Sequence, residues 1–300
     1  MQWLKRQKFS GVTIHFNPWR GCSRFSEGCR FCYAEKWANR NPAVFGKWGD
    51  QGTRIIASDT TWKEPIRWDR AAEKAGERRR VFCASMADVF EDRPELIVPR
   101  GRLFRLIAST TNLDWLLLTK RPENVLDMTF DEWCVGLSWQ WPLNVWLGVS
   151  VENQATADER IPILLNTPAA VRFVSAEPLL EAIDLRLSHE IDLVIVGGES
   201  GQQARTCRVE WIRSPVEQCH AAGVACFVKQ FGSNVVTRND QIEDHWEWGS
   251  SRISYNIHGF REQNQGADCR IHLKDRKGGD MAEWPEWARV RELPKSRKPT

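Results

Sequence analysis

Seven short apolar runs separated by longer, partly helix-like stretches constrain this chain more than any other feature. They are VTIHF (12–16), RVFCAS (80–85), DWLLLT (114–119), VWLGVSV (145–151), VRFVS (171–175), DLVIVG (192–197) and VACFVK (224–229). Most are β-branched and nearly all apolar, the pattern of strands buried on both faces of a parallel sheet. Between them lie RPELIVPRGRLFRLIAST, TADERIPILLNT and RVEWIRSPVEQCHAAG, which read as helices. Repeated βα units predict an α/β fold, a complete or partial TIM barrel of about six to seven units, with an open doubly wound sheet as the alternative. From about residue 233 the pattern breaks: QIEDHWEWGSSRISYNIHGF and KGGDMAEWPEWARVRELP are polar, Trp-rich and poorly periodic. Residues 1–232 therefore read as the barrel, with a cysteine loop near its start, and 233–300 as a C-terminal cap or extension.

Three hundred residues with 42% apolar content suffice for one large core. The 42 basic and 39 acidic residues leave a net charge of +3, which neither demands nor excludes nucleic acid. No apolar run reaches membrane-spanning length, and MQWLKRQKF lacks the apolar stretch of a signal peptide, so a cytoplasmic protein without membrane partners is expected. Nine cysteines, an odd number in a long chain, fit reduced thiols better than a disulfide framework.

Polar residues follow the apolar runs. Ser85 and Asp88 follow the second, Lys120 and Arg121 the third, Ser150, Glu152 and Asn153 the fourth, and Glu177 the fifth; Gly197, Gly198 and Glu199 follow the sixth, and Lys229 and Gln230 the seventh. In a parallel barrel these ends share the face that holds the active site. Carboxylates there can accept from an ammonium group or from ribose hydroxyls, and the GGESG turn would let backbone amides approach a ligand closely. Such a face suits a polar, zwitterionic small molecule.

GCSRFSEGCRFCYAE (21–35) places Cys22, Cys29 and Cys32 on a loop after the first run. A structural zinc site closes its tetrahedron with four ligands, whereas three thiolates on a 4Fe–4S cluster leave one iron open. Zinc, with His15 or a distant thiol as fourth ligand, is the alternative. The remaining six cysteines, Cys83, Cys134, Cys207, Cys219, Cys226 and Cys269, sit in apolar or helical contexts and read mostly as packing residues.

CRFCYAE resembles the end of the radical SAM cluster loop, with an aromatic residue, Phe31, before the last cysteine. The spacing departs from that loop: six and two residues separate the cysteines here, against the usual three and two. The chain as a whole resembles a phage-associated family of uncharacterised three-cysteine proteins through NPWRGC, GCRFCYAE, SMADVF, LTKRP, LGVSVEN, RFVSAEPLL, IVGGESG, VKQFG and KGGDMAEWPE. That resemblance implies a radical SAM-like partial barrel in which Cys22, Cys29 and Cys32 ligate a 4Fe–4S cluster and the open iron binds S-adenosylmethionine. By strand position Asp88 is then expected at the SAM amine and Ser150 and Glu152 at its ribose. Ser85, Glu177, Gly197 and Gly198 join the cofactor site, and Glu199 and Lys229 are the candidate catalytic residues. A one-electron donor such as flavodoxin or ferredoxin is implied as partner.

For the substrate, tryptophans beside basic residues, Trp19 with Arg20 and Trp62 with Lys63, suggest stacking and phosphate contacts at a barrel rim. The leading expectation is modification or repair of a nucleic-acid base, DNA before RNA. The alternatives are a free nucleotide or small metabolite, and a non-catalytic iron–sulfur or zinc nucleic-acid-binding module.

Overall fold

The computed structural model describes residues 12–135, 138–238, 252–255 and 268–294. MQWLKRQKF, and QIEDHWEWGSSRISYNIHGF apart from Arg252–Tyr255, fall outside the described residues. The seven apolar runs form seven strands of one parallel sheet: β1 (Val12–Phe16), β2 (Arg79–Cys83), β3 (Leu113–Thr119), β4 (Val145–Ser150), β5 (Val171–Ala176), β6 (Leu193–Gly197) and β7 (Ala225–Gln230). Their order in the sheet is their order in the chain, from β1 at one end to β7 at the other. A doubly wound sheet reverses its order at a switch point, so chain-order winding excludes that alternative and keeps the barrel-type succession of βα units. With β1 and β7 ending the order, the sheet is open.

The chain divides into two compact units. One runs to Ser150 and takes in Arg160–Phe173; the other holds Val151–Glu159 and the chain from Val174 to Lys295. In the first unit β1 to β4 pair in succession, Phe82 standing opposite His15 and Leu116, and Leu117 opposite Leu147. Helix α1 (Tyr33–Arg40) follows the cysteine loop. Helix α2 (Glu64–Ala75) opens with Pro65 in its first turn, where a missing N–H costs nothing, and stops at Gly76, whose φ of +63° closes the C-terminus. Helix α3 (Ile97–Ser109) buries Leu103, Phe104, Leu106 and Ile107, and α4 (Val125–Trp133) buries Val125 and Trp133. Helix α5 (Gln154–Leu165) follows β4.

In the second unit β6 and β7 pair in parallel, and α6 (Val209–Ala222) turns its buried residues Val209, Ile212 and Cys219 inward. A smaller sheet takes the order Cys207–Arg208, β8 (Val235–Arg238), β10 (Asp268–His272), β9 (Arg252–Tyr255). The C-terminal segment then returns to β7. Val228 donates its N–H to the Val290 carbonyl at 2.9 Å, and Glu292 donates to that of Cys226 at 2.8 Å.

Among the described residues Trp19, Trp62, Trp115, Trp133, Trp146 and Trp284 are buried. Phe16 meets the rings of Trp62 at 5.5 Å and Trp115 at 5.7 Å, both edge-on, and Trp133 joins Phe104 at 4.7 Å. Edge-on aromatic pairs add about 0.5–1.5 kcal/mol each beyond the area they bury. Trp19 is 0% and Trp62 2% exposed, and Arg102 lies over the Trp62 ring at 4.4 Å. The expectation that these two tryptophans stack bases at a rim is therefore corrected: they belong to the core.

Gly148 on β4 has no room for a side chain, since a Cβ there would lie 2.3 Å from the Phe173 ring on β5. Gly148→Ala is expected to lower stability by about 1–3 kcal/mol, the usual cost of overpacking. Urea titration checks this, and an unchanged midpoint would contradict the packing described.

Candidate functional site

The cysteine loop begins where β1 ends. Asn17 accepts from the Met86 N–H through Oδ1 at 2.9 Å, and Trp19–Arg20 pairs with Ile55–Ile56, tying off the excursion that carries the cysteines. Gly21 stands at φ +113°, and a Cβ there would come within 2.4 Å of the Thr53 carbonyl oxygen, so only glycine lets the chain turn into Cys22. Cys29 closes a single helical turn by donating its N–H to Ser26, and Cys32 donates its own to Cys29 at 3.2 Å. Cys32 then stands immediately before α1.

Two charged side chains from later in the sequence fasten this loop. The Glu91 carboxylate is buried and accepts from Ser23 N–H at 2.9 Å, Ser23 Oγ at 2.6 Å, and Arg54 Nε and Nη2, both at 2.6 Å. Arg54 and Glu91 have side chains 0% and 4% exposed. Asp88 is buried beside them. Its Oδ1 accepts from Thr119 Oγ1 at 2.8 Å and Phe90 N–H at 3.0 Å, and its Oδ2 from Lys120 N–H at 3.1 Å and Arg121 Nη1 at 3.0 Å. A carboxylate offers about four acceptor positions, and four donors of the chain meet Asp88 here.

Arg121 returns to the loop. Its Nη2 donates to the Ser23 carbonyl at 3.2 Å, its Nη1 lies 3.9 Å from Cys22 Sγ, and its guanidinium covers the Phe25 ring at 4.7 Å. Phe25 is 43% exposed. An open cavity of about 400 Å³ adjoins, lined among others by Ser23, Arg24, Phe25, Glu91, Arg121 and Asn124.

Burial pushes the Cys22 thiol above its ordinary pKa; Asp88, Glu91 and Cys32 add to the rise and Arg121 opposes it. Burial also raises Cys32, while the backbone N–H groups of Glu35 and Ala34 favour its thiolate and the neighbouring Cys29 opposes it. Among the described residues no three His, Cys, Asp or Glu side chains stand close enough to hold a metal ion as they are. The ligand chemistry, three thiols on one loop, is nonetheless that of a thiophilic metal or cluster. Cys22, Cys29 and Cys32 are all partly accessible on one loop, whereas Cys83, Cys207, Cys219, Cys226 and Cys269 are buried, with Cys134 also partly accessible. Metal binding to such thiols would proceed with loss of their protons. His15, the alternative fourth ligand, packs its ring beside Phe82 at 5.9 Å.

The other expected residues are placed as follows. Ser85 shares a hydrogen bond with Asn17 at 3.2 Å, and its carbonyl accepts from the Tyr33 hydroxyl at 2.6 Å. Ser150 Oγ accepts from Lys120 Nζ at 2.6 Å. In the second unit Glu152 is fully buried, its N–H donating to Thr156 Oγ1 at 3.0 Å. Lys229 donates to Glu177 at 3.0 Å. A Cβ on Gly197 would lie 2.8 Å from Glu177 Oε1, and one on Gly198 2.1 Å from the Phe231 carbonyl oxygen. Gly198 N–H already donates to Gln230. Both glycines thus allow close packing of the chain on itself. Glu199 accepts from Arg205 Nε at 3.0 Å and Nη2 at 2.8 Å, an internal ion pair.

Residues 8–279 match the sequence profile of a family described as "Protein of unknown function (DUF5131)". The chain belongs to this family. None of the curated proteins matches the sequence. Among solved structures the fold is similar to spore photoproduct lyase. A double mutant of that protein with bound AdoMet and dinucleoside spore photoproduct gives a TM-score of 0.45 at 10% identity, over 90% of this chain and 73% of the other. The same enzyme complexed with dinucleoside spore photoproduct gives 0.41 at 11% identity, over 85% and 67%.

Burial alone would raise the Glu91 carboxyl, but hydrogen bonds from Arg54 and Ser23 and the charges of Arg54 and Arg121 hold it below its ordinary 4.5. A carboxyl lowered by folding stabilises the native state fully above its unfolded pKa, and that contribution is lost as pH falls through the folded one. Glu91→Gln is expected to cost about 3–5 kcal/mol near neutral pH by leaving Arg54 buried without its partner. It should also flatten the loss of stability below pH 4.5. Urea midpoints from pH 7 down to pH 3 check both; equal pH dependence in variant and wild type would refute the assignment.

Proposed function

We propose that Cys22, Cys29 and Cys32 bind a 4Fe–4S cluster with one iron left open for S-adenosylmethionine, and that the protein is a radical SAM enzyme acting on a nucleic-acid base. The observation that carries the proposal is the loop itself. It gathers three partly accessible thiols directly after the first strand of a singly wound parallel sheet, while five of the remaining six thiols are buried. Three sulfurs suit a cluster that must keep a position for substrate or cofactor. When bound, the cluster would supply the electron that cleaves SAM to a 5′-deoxyadenosyl radical able to remove hydrogen from an unactivated carbon.

The chain's own contribution is to place and shield. Gly21 turns the loop, Glu91 and Arg54 pin Ser23, and the N–H groups at the start of α1 favour the Cys32 thiolate. Within the first unit we assign polar contact with SAM to Ser85 and Ser150, the latter held by Lys120, and make Asp88 a brace for Arg121. In the second unit Lys229 with Glu177 is the better candidate for proton handling, since Glu199 is committed to Arg205. For the substrate, exposed Phe25 with the Arg121 guanidinium against its ring offers an aromatic face beside positive charge at the loop, the combination that holds unstacked bases.

Anaerobic purification with iron and sulfide analysis, followed by assay for 5′-deoxyadenosine, tests the reading. Alanine at Cys22, Cys29 or Cys32 is expected to remove the brown absorbance and product formation. Phe25→Ala should weaken single-stranded nucleic-acid binding by about 1–3 kcal/mol. One equivalent of zinc and no iron after anaerobic reconstitution would overturn the cluster, and tight binding of a mononucleotide without affinity for DNA or RNA would overturn the substrate.

A further inference from the structure

We infer that Arg121 is a positioning residue that sets the reduction potential of the cluster held by Cys22, Cys29 and Cys32, with Asp88 as its counterweight; the inference rests on the cluster proposed above. The guanidinium is fixed on several sides. Nη1 meets Asp88 at 3.0 Å, Nη2 meets the Ser23 carbonyl at 3.2 Å, and the Phe25 ring lies against it at 4.7 Å. Glu91 Oε1 stands 4.0 Å from Nη2. What remains of Nη1 faces Cys22 Sγ at 3.9 Å, within reach of an N–H to sulfur hydrogen bond.

The arrangement is rigid because Asp88 is itself held by Thr119, Lys120 and Phe90. The Arg121 side chain is only 8% exposed, so its charge acts with little screening. Arg24 also feels the charges of Cys29 and Cys32, but its side chain is 58% exposed and paired with Glu35, where water and the carboxylate blunt it.

Adding one electron to an iron–sulfur cluster increases negative charge spread over iron and sulfur. Hydrogen bonds to the sulfurs and nearby positive charge stabilise that reduced state and raise the potential. Removing Arg121 takes away both and leaves the Asp88 carboxylate unneutralised beside the cluster. Removing the Asp88 charge has the opposite consequence, because Arg121 then acts without its counterion.

The test is a spectroelectrochemical titration of anaerobically reconstituted wild type, Arg121→Gln and Asp88→Asn, without SAM, each loaded to full iron and sulfide content. Arg121→Gln is expected to lower the reduced-to-oxidised ratio at a fixed potential at least tenfold, about 59 mV for a one-electron couple. Asp88→Asn should move it upward. A residue that merely supports the loop would change how much cluster is retained and leave the potential of the loaded fraction unmoved. Unmoved potentials, or shifts of the same sign in both variants, overturn the inference. If Arg121→Gln does not load, Asp88→Asn decides alone, by its upward shift or the lack of one. A wild type that takes up no iron removes the cluster reading and this inference together; a loaded wild type with unresponsive variants removes only the inference.

Discussion

A buried carboxylate fastened to a buried guanidinium underlies the whole cysteine loop. Glu91 has to be taken out of water to reach Ser23, and that step is tolerable because Arg54 arrives with two short hydrogen bonds. The pair joins three stretches that are distant in sequence: the loop after β1, the segment that follows it, and the turn after β2. Breaking one partner leaves a buried charge unpaired, so the loop cannot drift from the sheet without separating the two. Asp88 and Arg121 repeat the device one step closer to the sulfur.

Two of the three carboxylates of SMADVFED, Asp88 and Glu91, thereby brace the cysteine loop, Glu91 through Ser23 and Asp88 through Arg121. Asp88 follows a strand end, where a small-molecule contact is the natural expectation. Four protein donors also meet it there. Glu199 follows the same course with Arg205, and Gly197 and Gly198 turn out to accommodate Glu177 and Phe231. Polar residues at strand ends are first required to satisfy the loops that leave those strands, because buried backbone N–H groups need acceptors.

The parallel strands were legible because burial on both faces leaves a mark that needs no partner to be recognised: β4 and β6 are apolar and buried at nearly every position. Their boundaries in the sheet fall within two residues of the apolar runs. The cysteine loop was legible for a similar reason, since its chemistry sits in adjacent residues. Arg54 carried no local signal. Its importance comes from Glu91, 37 residues away, and an isolated arginine between Thr53 and Ile55 reads as a surface charge. The tryptophans misled because a basic neighbour in sequence says nothing about which way a ring points; Trp19 and Trp62 turn inward while Arg20 and Lys63 do not.

The return of the C-terminal segment to β7 bears on how the protein is made. β7 ends the parallel sheet, and its outer N–H and C=O groups are covered by Val290 and Glu292. During synthesis the strands emerge first and that cover emerges about 60 residues later, some seconds of translation. Through that interval the nascent chain presents an uncapped sheet edge, the kind of surface that recruits strands from neighbouring chains. A chain stalled or clipped before Val290 would keep that edge permanently, so its hazard lies in self-association on the ribosome and after release rather than in any missing catalytic group.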